Sequence, residues 1–163
     1  AQIVHRLDLA TSGLLLLARG EVMQRRFSQL FRERLVHKTY IAVVAGQVMQ
    51  AEGEIDLPLI TDWPNRPLQK VDFDIGKPSL TRYRCLGYDA ASDSTRLLLE
   101  PVTGRSHQLR VHLAAIGHPI LGDLLYAGEH RLRAPRLLLH AASLTFVHPL
   151  SQAPCRYDCP PAF

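Results

Sequence analysis

Apolar positions in this chain come in short runs separated by polar turns, and the period of each run predicts an element. Leu14 to Ala18 is a short apolar run closed by Arg19-Gly20, which predicts a buried strand. From Glu21 to Leu35 the period lengthens. Met23, Phe27, Leu30, Phe31 and Leu35 share one face, while Arg25, Arg26, Arg32, Glu33 and Arg34 lie elsewhere, so an amphipathic helix is expected. Lys38 to Gly46 is rich in β-branched and aromatic residues and reads as a strand. Between Glu52 and Val71, Pro58, Pro64 and Pro67 preclude a helix and predict a rigid loop carrying Trp63, Arg66 and Lys70. The turn Gly76-Lys77-Pro78 leads into a strand at Thr81–Cys85, and polar Asp89–Ser94 connects it to another at Thr95–Pro101. Thr103 to Leu113 opens a second helix that runs to Ile116, stopped by Gly117 and His118-Pro119. His118 to Tyr126 reads as a loop, and Arg136 to Ala141 returns to an apolar strand. Alternating strands with only two strong helices predict an α+β fold: a mixed, mainly antiparallel sheet with flanking helices and a central cleft.

Composition narrows the function classes. A chain of 163 residues without repeat, linker or low-complexity stretch is read as one domain, 1–163. Lys plus Arg number 19 against 15 acids, a net charge of +4 that permits an RNA partner without demanding one. Most of these cations are arginines, suited to fork-like contacts with phosphate and carboxylate. Cys85, Cys155 and Cys159 form no disulfide framework, which points to a reduced, cytoplasmic setting. Cys155 and Cys159, with His140 or His148, are too sparse a set for zinc, so no metal is expected and both histidines read as structural. No run approaches a membrane span and no signal peptide is visible. Neither a dinucleotide glycine motif nor a P-loop is present.

Candidate chemistry gathers at two places. Asp8 follows His5-Arg6-Leu7 between two apolar stretches and precedes the turn residues Thr11-Ser12-Gly13. A carboxylate held at the lip of a core is placed for reaction, although residue types alone also fit a loop cap. Arg105 falls in the expected first turn of the second helix, where the dipole disfavours a cation unless a carboxylate pairs with it. Tyr40, in its strand, is by residue type alone a packing residue.

The string His-Arg-Leu-Asp-x-x-Thr-Ser-Gly-Leu-Leu resembles the active-site signature of the RluA-type pseudouridine synthases, in which the Asp is catalytic. The likeness runs from His5 to Phe163. Lys38-Thr39-Tyr40 resembles the second motif, whose Tyr packs against the target base. Gly104-Arg105-Ser106-His107-Gln108-Leu109-Arg110 resembles the third, whose first Arg pairs with the catalytic Asp. The Arg136–Ala141 strand resembles the last, with Leu139 lining the base pocket. The resemblance thus implies catalytic roles for Asp8, Arg105 and Tyr40. It implies substrate contacts for His5, Arg6, Leu139, Trp63, Arg66, His107 and Arg110, with Arg6 filling the space that the uridine vacates. It also implies an RNA-directed isomerase that works without a cofactor, as a cytoplasmic monomer. Asp62 to Pro67 with Gln69-Lys70-Val71 is most similar to the member that acts on both large-subunit (23S) ribosomal RNA and the tRNA anticodon stem-loop. Two departures stand out. Ser79 replaces the usual Ala, and the upstream strand with its Lys-Pro-x-Gly loop is missing, so the chain is expected to be a piece of a longer enzyme. Rival readings are a non-catalytic RNA-binding domain, a synthase with a single RNA target, and an aspartate-dependent nucleoside hydrolase. A binding domain would not need Asp8, Tyr40 and Arg105 together, and a hydrolase would release free uracil.

Overall fold

A computed structural model describes all of residues 1–163. In chain order the elements are strands β1 (Gln2–Ile3), β2 (Ser12–Gly13) and β3 (Leu17–Ala18), then helix α1 (Gly20–Arg32). Strands β4 (His37–Ala45), β5 (Glu52–Asp56), β6 (Leu59–Thr61), β7 (Gln69–Val71), β8 (Leu80–Asp89) and β9 (Ser94–Pro101) follow. Helix α2 (Gln108–Ala115) and strands β10 (Leu139–Val147) and β11 (Pro154–Asp158) complete the chain. The main sheet runs β11-β10-β4-β9-β8-β5, each neighbour antiparallel, and β2 joins β10 in parallel. The expected α+β architecture, with a mixed and mainly antiparallel sheet, is the one found.

Residue alternation explains which face is covered. In β4 the side chains of Tyr40, Ala42 and Val44 are buried together with Leu97 and Leu99 of β9, and Leu109 and Leu113 of α2 close over them. Leu97, Leu99 and Leu113 are fully buried, each contributing about 1.5–3 kcal/mol of apolar transfer. A second cluster joins Phe27 of α1 to Leu144 and Phe146 of β10, with the Phe27 and Phe146 rings edge to face at 5.3 Å. Both clusters lie on one face of the sheet. Leu139 pairs with Ala42 and Leu144 with Lys38, both even positions of β4, because a bulge between Ala141 and Ser143 shifts the register by one. The helices therefore stand side by side, and the segment carrying Asp8 crosses between them.

Several expectations need correction. Leu14–Ala18 is not one buried strand. Leu14 and Leu16 pack against the α1 cluster, whereas Leu15 and Leu17 are 49% and 45% exposed. An extended chain turns successive side chains to opposite sides, so consecutive leucines cannot all reach one core. The stretch from Glu52 to Val71 is no plain loop: it supplies β5 and the hairpin β6–β7, whose tip is a 3-10 turn at Trp63–Asn65. Its prolines sit at strand ends and in that tip, where no ladder donor is lost. Helix α1 stops at Arg32 rather than Leu35. Leu35 N–H donates to the Leu30 carbonyl and Arg34 N–H to that of Phe31, a Schellman closure with Arg34 left-handed at φ 59°. Helix α2 starts at Gln108, after a left-handed His107 at φ 53°, so Arg105 lies outside it.

Candidate active site

Asp8 is positioned from both sides. Behind it, the Thr11 amide donates to the Asp8 carbonyl at 2.9 Å, and β2 then docks on β10. That docking needs a glycine: Gly13 has φ 106°, and a Cβ there would collide with the Ala141 backbone. Ser12 Oγ accepts from Arg136 at 2.6 Å and donates to His140 Nδ1 at 2.8 Å, while His140 Nε2 donates to the Cys159 carbonyl at 2.8 Å. Ahead of Asp8, His5 Nε2 accepts the Leu16 amide at 2.8 Å and its ring stacks on Phe31 at 4.6 Å. Burial, together with the charge of Lys38, lowers the His5 pKa to about 4, so this histidine accepts as a neutral ring. His5 thus ties down the loop as well as bordering the groove beside it.

The carboxylate of Asp8 faces a cavity of about 140 Å³ lined also by Arg6, Tyr40, Arg105, His107 and Leu139. Tyr40 is almost wholly buried, and burial, reinforced by the negative charge of Asp8, pushes its phenol up to about 12. It is a neutral wall, not a base. Leu139, on the neighbouring strand, belongs to the same core cluster and shares that wall. Arg6 is exposed, at the junction of the cavity with the groove.

The expected Arg105–Asp8 pair is not formed. The Arg105 guanidinium donates instead to the Pro78 carbonyl, at 3.3 Å from Nε and 3.2 Å from Nη2, although it borders the cavity. Asp8 is partnered by Arg110, whose Nη1 lies 3.4 Å from Oδ2. The reason is the helix start. With α2 beginning at Gln108, the cation in its first turn is Arg110, and the need of such a cation for carboxylates is met twice over. Arg110 makes a fork with Asp123, 2.9 Å from Nε to Oδ2 and 2.7 Å from Nη2 to Oδ1, leaving Nη1 for Asp8. Asp123, itself buried, also accepts the amides of Leu125 and Tyr126. Burial alone would lower the Arg110 pKa, but the hydrogen bonds and charge of Asp123, with the charge of Asp8, outweigh it and raise the value. The short contacts are those to Asp123, so Asp123 fixes the arginine and the arginine fixes Asp8, whose Oδ1 is left without a protein partner. Asp123 was not singled out in the sequence; its position in Gly122-Asp123 before an apolar pair resembles any turn aspartate.

His107 closes the far side. The Gln69 amide donates to the Tyr126 hydroxyl at 2.9 Å, and that hydroxyl hydrogen-bonds His107 Nδ1 at 2.6 Å. Burial lowers the His107 pKa, Arg110 adds to that, and Asp8 opposes it. Beneath the loop, buried Gln108 accepts from Thr103 Oγ1 at 2.7 Å and from the Arg105 amide at 3.1 Å, and donates to the Leu80 carbonyl at 2.9 Å. Trp63 and Arg66 stand apart from the cavity, at the tip of the β6–β7 hairpin, where the guanidinium lies 5.1 Å over the indole and Trp63 is 63% exposed. No three His, Cys, Asp or Glu side chains are grouped as metal ligands, and no helix is long and apolar enough to cross a membrane.

Residues 1–115 match the family described as RNA pseudouridylate synthase. Over 150 residues the chain is 55% identical to the dual-specificity RNA pseudouridine synthase RluA of Escherichia coli K12, covering 91% of this chain and 68% of that protein. Over 160 residues it is 50% identical to the protein of that name in Pasteurella multocida, covering 98% and 73%. Among solved structures, human RNA pseudouridylate synthase domain containing 1 superposes with a TM-score of 0.86 at 31% identity, over 99% of this chain and 69% of that one. Human RNA pseudouridylate synthase domain containing 4 gives 0.80 at 28% identity, over 99% and 72%.

Proposed function

This chain belongs to the RNA pseudouridylate synthase family, and on that footing we propose that it isomerises uridines in RNA to pseudouridine with Asp8 as the reacting group. The observation that carries the assignment is the arrangement at Asp8: a carboxylate with one oxygen on a buried arginine and the other free beside a small cavity with a tyrosine wall. The isomerisation breaks the N1–C1′ bond, turns the uracil and joins C5 to C1′, C5 losing a proton and N1 gaining one, with no net oxidation and no group transferred to a second molecule. Attack on C1′, addition to C6 and removal of a ribose proton all demand a fixed carboxylate within reach of sugar and base, and Asp8 meets that demand. Arg110 holds it, Tyr40 and Leu139 flank the base, and His107 stands at the rim. Because the cavity is recessed, the uridine must leave its stack to enter, and exposed Arg6 is placed to fill the gap.

The substrates we assign are large-subunit ribosomal RNA and the tRNA anticodon stem-loop. The assignment is supported by the high identity to relatives named dual-specificity synthases and by the exposed Trp63–Arg66 pair on a rigid hairpin. The enzyme would act as a cytoplasmic monomer. The test is Asp8→Asn. The amide keeps the shape of the carboxylate but cannot act as nucleophile or base, so pseudouridine formation should fall by more than about a thousandfold with RNA affinity nearly unchanged. A rate within about tenfold of wild type would remove Asp8 from this role.

A further inference from the structure

Beside the Asp8 cavity runs a wider groove of about 510 Å³, bordered by Arg6, Arg32, Arg34 and Arg105, with Glu100 as its one carboxylate. Lys38, on β4, stands in the wall common to both spaces. Its surroundings are unusual for a lysine. The side chain is largely buried, and that burial lowers its pKa, yet no carboxylate lies within ion-pairing distance. The nearest compensation is the Phe31 ring, whose centroid lies 6.0 Å from Nζ. No fully buried polar atom in the chain lacks a hydrogen-bond partner, so an ammonium without one must be open to the cavity or the groove. Gly104 lies beside it, where a Cβ would stand 3.7 Å from Nζ, an ordinary contact distance.

A desolvated, unpaired ammonium bordered by arginines is a poor arrangement for the empty protein and a good one for an anion. Resting on the RNA reading above, we propose that Lys38 binds a backbone phosphate next to the target uridine, locking the flipped nucleotide with its base in the Asp8 cavity and its sugar–phosphate in the groove. The position of Lys38 supports a phosphate rather than the uracil ring. A base carbonyl would need one donor, whereas the groove continues the positive charge outward through Arg6, Arg32 and Arg34, along the direction the backbone must take. Two residues along β4, Tyr40 faces the base, so one strand would hold both parts of one nucleotide.

The experiment is a double cycle on a synthetic tRNA anticodon stem-loop. Each of the two linkages flanking the target uridine is replaced in turn by an uncharged methylphosphonate, and binding is measured with wild type, Lys38→Met and Lys38→Arg. In wild type one of the two replacements should weaken binding by about tenfold to a hundredfold. Lys38→Met should lose the same factor on unmodified RNA, lose nothing more on the neutralised one, and lower the salt dependence of log Kd by about one phosphate contact. Lys38→Arg, which keeps the charge, should remain sensitive to the replacement. Additive losses at both linkages, or a Lys38→Met defect confined to kcat, would overturn the proposal. So would insensitivity of both wild type and Lys38→Arg to neutralisation, an outcome that stands even if the methionine variant does not fold. Pseudouridine formation by wild type on the unmodified stem-loop is read in parallel, so that failure of the synthase assignment is seen separately from failure of the phosphate contact.

Discussion

At the scale of single residues, two arginines near Asp8 are held in different ways. Arg110 is buried, forked onto Asp123 and touching Asp8, whereas Arg105 reaches only a backbone carbonyl. A lysine at 110 cannot hold Asp123 with two parallel donors and still present a third to Asp8. Arg110→Lys should therefore lower kcat by about a hundredfold and destabilise the fold by about 3 kcal/mol, since a buried ion pair is disrupted. Arg105→Lys can still donate to the Pro78 carbonyl, so kcat should stay within about tenfold and the larger change should appear in KM. Single-turnover rates and thermal melts of the two variants check this, and equal damage to kcat from both would refute the distinction. The sequence shows why the two were hard to separate. Both lie within Gly104–Arg110, and a cation in the first helical turn does need a carboxylate, but the start of α2 depends on a left-handed His107 and the Gln108 side chain, which no periodicity reveals. That Asp8 and Tyr40 would meet at one cavity was legible only through the family strings around them, since the β pattern alone makes Tyr40 a packing residue. Asp123 was not, because its partner is distant until the chain folds.

At the scale of elements, the strand β4 lies within one residue of its expected bounds, whereas α1 matches in kind but not in extent, and the cause is again a local closure. The apolar face appears to the eye to run on to Leu35, yet the Schellman turn ends the helix and leaves Leu35 half exposed. The left-handed position is occupied by Arg34 rather than by the usual glycine. A non-glycine residue there costs about 1 kcal/mol, and Arg34 borders the basic groove. Arg34→Gly should therefore raise Tm by about 2–4 °C while weakening RNA binding several-fold at low salt, an effect that fades as salt rises. Melting curves and binding titrations at two salt concentrations would show it, and a lowered Tm would mean that the left-handed turn is not strained. The hairpin β6–β7 was missed for a different reason: its prolines argued against any regular element, but they lie where a strand pair ends, and pairing between short strands leaves almost no periodic trace.

At the scale of the whole molecule, the hairpin that carries Trp63 and Arg66 is separate from the cavity but wired to it, through the Gln69 amide, the Tyr126 hydroxyl and His107. The basic groove is local to the cavity, bordered by Arg6, Arg32, Arg34, Lys38 and Arg105, so recognition should be confined to one local stem-loop. Isolated stem-loops from the anticodon arm and from large-subunit ribosomal RNA should both be modified when they share a loop sequence, and scrambled loops of equal length should not. Equal modification of native and scrambled loops, or activity only on assembled subunits, would rule this out.

The bulge in β10 has a consequence for how such a chain can vary. Before it, Leu139 and Ala141 serve the cavity side of the core; after it, Leu144 and Phe146 seat α1 on the same face. Deleting Ala142 would turn Leu144 and Phe146 outward while leaving every other letter of the strand in place. Between Ala141 and Ser143, then, the count of residues is a constraint of its own, much as a reading frame is kept by the number of letters and not by which letters they are.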